Sequence, residues 1–143
     1  MSALLGEARY REGVVLFQEA RFFEAHEELE LVWRPWPAGP ERLFLQGLIQ
    51  AAVSLEHWRR ANPRGAAGQY EKARAKLEPL PAAYAGLALG GLLRDLRAFY
   101  AVHNLAAAVA MQRAGRAVDP TPRLPWPAPR WLPDYGVQPP SPS

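Results

Sequence analysis

Phe22-Phe23-Glu24-Ala25-His26-Glu27-Glu28-Leu29-Glu30-Leu31-Val32-Trp33 reads as one amphipathic helix with polar chemistry set against a core. Phe22, Ala25, Leu29, Val32 and Trp33 fall within about 100° of one another on a helical wheel, the width of a core-facing stripe. His26, Glu30 and Trp33 lie within about 60° of one another beside that stripe. Glu24, Glu27 and Glu28 lie on the other side, as a solvated face. The spacing therefore places one imidazole and one carboxylate at the margin of the core.

The flanking residues bound the helix. Ala20-Arg21 interrupts the preceding apolar period, and Pro35, Pro37, Gly39 and Pro40 stop the helix near Arg34. Upstream, Leu4, Leu5, Ala8, Val15 and Phe17 give an approximate stripe that predicts a first helix from Ala3 to about Glu19. Downstream, Pro40 suits a helical first turn, where a missing N–H costs nothing, and the segment from Glu41 to Arg60 is apolar almost all the way round. Such a helix belongs at the centre of the fold. Its thin polar stripe is Arg42, Gln46, Gln50 and His57, which share about 80° of the wheel. Asn62-Pro63-Arg64-Gly65 then starts a fourth helix through Tyr70, Ala73 and Leu77.

Pro79 and Pro81 end the fourth helix, and an Ala- and Leu-rich segment predicts one further helix from about Leu87 to Ala114. Gly86, Gly90 and Gly91 weaken its start, so its ordered part is expected from Leu92. His103 lies on its apolar stripe and reads as a satisfied core histidine. From Asp119 onward, Pro120, Pro122, Pro125, Pro127, Pro129, Pro133, Pro139, Pro140 and Pro142 exclude regular helix or sheet. Exposed indoles are costly, so Trp126, Trp131 and Tyr135 predict a tail lying along the helices or on a neighbouring subunit. The expected architecture is all-α: a compact bundle of about five helices over residues 1–118, with an extended Pro-rich tail over 119–143.

Composition sets the outer limits. In 143 residues, an apolar content of 49% is enough for one core without staples, and the absence of cysteine excludes disulfides and thiolate metal sites. A reduced cytoplasm is the expected location, since no basic leader precedes an apolar run and no segment approaches a membrane span. The net charge of +3 comes from scattered arginines, with lysine only at Lys72 and Lys76. That pattern disfavours nucleic acid as a partner.

Two facing helices would bring the polar stripes together. The short turn between Glu30 and Arg42 favours an ion pair, with Gln46 and Gln50 then meeting His26. The candidate polar site is thus His26, Glu30, Trp33, Arg42, Gln46, Gln50 and His57. It supports several readings: a network that satisfies buried groups and fixes helix register, a small-molecule pocket, or an enzyme with His26 as general base, Glu30 as its orienting partner and Arg42 as an anion anchor. No metal or cofactor is expected. Glu30 stands where a zinc-protease helix needs its second histidine, and no Glu-x-x-His pair of the di-iron kind occurs at His26 or His57. A mixed His26, Glu30 and His57 site stays open on geometry alone. There is no cysteine nucleophile, no Gly-x-Ser-x-Gly elbow around Ser54 and no phosphate loop. The expected partner is a small molecule or another protein, with a homodimer among the alternatives.

Phe23 to Trp33, Leu45 to Gln50, His57 and Asn62-Pro63-Arg64-Gly65-Ala66 resemble the small bacterial and archaeal family catalogued as domain of unknown function 309. In that family a signature like Phe-Glu-Ala-His-Glu-x-Leu-Glu-x-x-Trp precedes Leu-Gln-Gly-Leu-Ile-Gln. The resemblance covers about Val15 to Leu77. It implies an all-helical bundle, with Ala20 and Ala61 standing where glycine is expected in many relatives, and it carries over no catalytic residues. The first two helices also look like a tetratricopeptide-style hairpin, but no repeat at that period follows. A scaffold reading would move function to the outer helix faces or the aromatic tail.

Overall fold

The computed structural model describes residues 2–135; the last part of the tail, with Pro139, Pro140 and Pro142, lies outside the described residues. A 3-10 turn at Ala3–Gly6 precedes α1 (Ala8–Gln18), α2 (Phe22–Trp33), α3 (Pro40–Arg59) and α4 (Pro63–Leu77). The fold is all-α. No described helix is long and apolar enough to cross a membrane.

The hairpin turns between these helices are made by residues in the left-handed region. Ala20 at φ 59° and Ala61 at φ 59° adopt backbone that glycine would take without strain. At the first turn, Arg59 donates from Nη1 to the Ala20 carbonyl (2.7 Å), and its guanidinium sits 4.8 Å above the Phe22 ring. At the second, the Asn62 side chain accepts from the Gly65 N–H at 3.2 Å and caps α4.

α3 is the central element: Phe44, Leu45, Leu48, Ala51, Ala52, Leu55 and Trp58 are all buried. α2 and α4 both pack directly against it, and α1 packs against α2. Gly47 makes the α4 contact close, because a Cβ there would stand 2.8 Å from the Leu77 side chain. Buried Ser54 on α3 donates to the Ala66 carbonyl (2.7 Å) and lies 2.6 Å from the Tyr100 hydroxyl, which must therefore be the donor of that pair.

Two departures from the expected helix over 87–114 have local causes. A two-residue turn, Ala85-Gly86 with φ of 48° and 80°, closes a small antiparallel hairpin, β1 (Ala83–Tyr84) and β2 (Leu87–Ala88). The helix then starts at Leu89, ahead of Gly90 and Gly91, and the segment divides into α5 (Leu89–Val102) and α6 (Leu105–Arg113). Asn104 divides it by adopting φ 50° while its side chain accepts from the Ala107 N–H (3.3 Å), so one residue both stops a helix and caps the next. Six helices result among the described residues.

His103 ends α5 with both ring nitrogens bonded. Nε2 accepts from the Arg123 N–H at 2.9 Å, so Nδ1 carries the proton that is donated to the Phe99 carbonyl at 2.7 Å. It is the core histidine that its stripe predicts, and it also anchors the chain that follows α6. That chain runs extended over the bundle. Trp58 donates to the Pro120 carbonyl (3.1 Å) and Gln18 to the Pro129 carbonyl (2.9 Å). Trp126 stacks on Phe99 with centroids 5.2 Å apart and meets Phe22 edge-on, while Trp131 bridges to Leu87 and packs against Tyr10. The expectation that the tail's indoles lie along the helices thus holds for Trp126 and Trp131.

Candidate functional site

α2 and α3 run antiparallel, so the two stripes meet as two adjoining clefts that share His26 and Val53. One, of about 260 Å³, is lined by His26, Glu30, Trp33, Gln46, Gln50 and, from α4, Gln69. The other, of about 180 Å³, is lined by Phe22, Phe23, His26, Glu56, His57 and Arg60. Arg42 lines neither cleft.

His26 and Glu30, one helical turn apart, bond through Nε2 and Oε1 at 2.9 Å. A carboxylate only accepts, so Nε2 carries the proton and Nδ1 is the nitrogen left over. The other Glu30 oxygen accepts from Arg34 at 3.1 Å. Glu30 is therefore satisfied from within its own helix.

The expected ion pair between Glu30 and Arg42 is not made. Arg42 instead turns its Nη1 onto backbone carbonyls at and just past the C-terminal end of α2: Trp33, Arg34 at 3.1 Å and Trp36 at 2.8 Å. Its guanidinium lies 4.5 Å from the Trp33 ring centre. The last carbonyls of a helix lack intrahelical partners and carry partial negative charge, which makes them strong acceptors for a cation. Arg42 is thus a C-terminal cap contributed by the next helix.

Gln46 and Gln50 reach the cleft beside His26 but make no bond to it. Gln50 accepts from Lys76 Nζ at 2.9 Å; burial, then the neighbouring Lys72, pull that ammonium below its ordinary range. The Gln46 and Gln69 carboxamides are half-buried and bond to no other described residue, and Trp33 keeps a buried Nε1–H without a partner. The site also gains Gln69, which the sequence reading did not include. Gln69 lies about 40° from buried Ala73 on the α4 wheel, a margin position that only the α3–α4 packing turns toward His26.

His57 serves the second cleft. Its Nδ1 lies 3.1 Å from Asn62 Nδ2, and Gly65 lets the ring lie flat on α4, since a Cβ there would stand 2.7 Å from Nδ1. Phe23, 47% exposed, stands edge-on to the His26 ring at 5.9 Å and forms the mouth. Burial pulls the Glu56 carboxyl up, but bonds from Arg59 and Arg60 outweigh it and hold the group below the usual carboxylate range. Glu56 is thus a paired anion. On the outer face of α2, Glu24 pairs with Arg21 and Glu28 with Arg9. Among the described residues, no three His, Asp, Glu or Cys side chains are grouped to hold a metal ion, so the mixed His26, Glu30 and His57 set is not assembled.

The stretch that builds both clefts, from the α1–α2 hairpin to the α3–α4 contact, coincides with a known family. Residues 10–69 match the domain of unknown function DUF309. Every residue of the two clefts lies inside the DUF309 segment, whereas α5, α6 and the extended tail lie beyond it. The chain is similar to an uncharacterized protein of Aquifex aeolicus (strain VF5), with 30% identity over 96 residues, 67% of this chain and 26% of that protein. It is also similar to the uncharacterized protein YpuF of Bacillus subtilis (strain 168), with 41% identity over 58 residues, 40% of this chain and 33% of that protein. The chain thus spans a third or less of the length of these two curated relatives. No solved structure matches it significantly.

Proposed function

We propose that the DUF309 segment is a binding module whose His26-centred cleft takes a small ligand with several hydrogen-bonding groups. The observation that carries this reading is the set of uncommitted polar groups around one 260 Å³ cleft: the Gln46 and Gln69 carboxamides and the buried Trp33 Nε1–H. A purely architectural seam satisfies its members, because a buried donor without a partner costs about 1–3 kcal/mol. Here the charged members, Glu30 and Arg42, are satisfied, as is Gln50 through Lys76, whereas Gln46, Gln69 and the Trp33 Nε1–H are not. A neutral, polar ligand suits that division.

The test is a fragment titration followed by backbone and carboxamide NMR on the wild type and on Gln46→Met. The module reading expects shifts at Gln46, Gln50 and Gln69 with a neutral amide or polyol probe, lost in Gln46→Met while thermal stability holds. If no probe moves those signals, and Gln46→Met stabilises the fold, the seam is architectural.

One observation favours an enzymatic reading in second place. Glu30 holds His26 through Nε2, so that in the neutral ring Nδ1 is the nitrogen able to take a proton. Arg42, committed to three carbonyls, is poorly placed to anchor a substrate anion.

A further inference from the structure

We propose that the smaller cleft, between His26 and His57, selects ligands that present an N–H beside a carbonyl, the edge of a cyclic amide. The inference rests on the reading of this face as a binding module and adds the chemistry of its occupant. It follows from where the protons on the two imidazoles must be.

A backbone N–H, which can only donate, fixes the first orientation. The Gly65 N–H donates to the Asn62 side chain at 3.2 Å, so the Asn62 oxygen faces α4. Gln112 Nε2 donates to the same oxygen at 2.9 Å, and the Arg64 N–H donates to Gln112 Oε1 at 2.8 Å, which orients the second amide independently. Both amides are thereby locked, and the Asn62 NH2 group is the one facing His57. An amide NH2 only donates, so His57 Nδ1 accepts at 3.1 Å and the proton of the neutral ring sits on Nε2. Gln112 belongs to no local pattern: it stands 50 residues from Asn62 along the chain and comes from α6.

His26 has the same proton placement for a different reason, because Glu30 accepts from its Nε2. In the neutral ring, the nitrogen left to His26 is the bare Nδ1, an acceptor. The nitrogen left to His57 is Nε2–H, a donor. One cleft of about 180 Å³ is therefore lined by an acceptor ring on α2 and a donor ring on α3, between the apolar surfaces of Phe22, Phe23 and Val53. Glu56, also on its wall, is bonded to both Arg59 and Arg60 and presents no free carboxylate to a ligand. The complement of that lining is a flat neutral molecule whose N–H meets His26 and whose C=O meets His57.

The experiment uses the full chain with ¹⁵N-labelled histidine, with 2-pyridone and N-methyl-2-pyridone as probes. In the free protein, the imidazole spectrum should show His57 protonated at Nε2 and bare at Nδ1; a His57 protonated at Nδ1 overturns the inference. On titration, 2-pyridone should shift both His26 and His57. The N-methyl compound should bind about tenfold more weakly, the loss of one buried hydrogen bond. Equal affinity for the two probes overturns the proposal, because the cleft would then accept any apolar ring of that size. Failure of 2-pyridone to shift either histidine also overturns it, while amide or polyol shifts at Gln46 and Gln69 would leave the module reading standing. Silence of both clefts toward every probe refutes both.

Discussion

Replacing Arg42 separates support from ligand binding more sharply than any other change. Its guanidinium donates to the Trp33, Arg34 and Trp36 carbonyls and stacks over the Trp33 ring. A net hydrogen bond contributes about 0.5–1.5 kcal/mol, and an accessible cation–π contact about 0.5–1 kcal/mol. The Arg34 bond is solvent-exposed, and water replaces part of what is lost at a helix end, so the full sum overstates the effect. We expect Arg42→Ala to cost about 2–3 kcal/mol, which for a chain of this size lowers Tm by roughly 5–10 °C. Arg42→Lys should recover about half, because an ammonium still donates to these carbonyls but does not stack on an indole in the same way. Urea unfolding followed by far-ultraviolet circular dichroism and tryptophan fluorescence measures both. An Arg42→Ala variant within about 0.5 kcal/mol of wild type would refute the capping argument and return Arg42 to the pool of groups free to hold an anion.

Ala20→Gly and Ala61→Gly should each stabilise the chain by about 0.5–1 kcal/mol, relief of left-handed strain outweighing the extra entropy of an unfolded glycine; thermal melts showing a loss at both sites would contradict this. Trp126→Ala should cost about 2–4 kcal/mol and speed proteolytic cleavage between residues 119 and 125, because Trp126 joins the extended chain to Phe22 and Phe99; an unchanged cleavage rate would show that the His103 and Trp58 bonds suffice. Burial raises the phenols of Tyr10 and Tyr100 far above the ordinary tyrosine value of about 10, so the folded state keeps protons that the unfolded chain releases. The sign is then fixed: the stabilisation is fully present below pH 10 and is lost as pH rises above it, by up to about 1.4 kcal/mol per pH unit per group. Urea midpoints that stay flat between about pH 9 and 11.5 would contradict that assignment.

The helices around the clefts were legible because their boundaries are written in local chemistry. Pro40 and Pro63 can only begin a helix, Asn62 caps one, and the 100° advance per residue puts His26 beside Leu29 whatever surrounds them. The same periodicity placed Gln46, Gln50 and His57 on one stripe of α3, and the structure turns that stripe toward α2. Partner choice was not legible. Side-chain periodicity carries no information about backbone acceptors, so Arg42, matched to the nearest carboxylate in sequence, was free to find better acceptors in the carbonyls that close α2. Asn104 reads as an ordinary helical residue until its φ is known, and so the break between α5 and α6 was hidden.

What the chain dictates locally is where each helix starts and stops and which side chains share a face, since sterics and capping act over four residues. Which faces meet, that Gln69 joins His26, that His57 and Gln112 divide one asparagine between them, and that Trp126 lies on Phe99 are settled by packing. The Asn62–Gln112 bond alone reaches across 50 residues, and such contacts are chosen by the free energy of the whole core rather than by each residue's own neighbours.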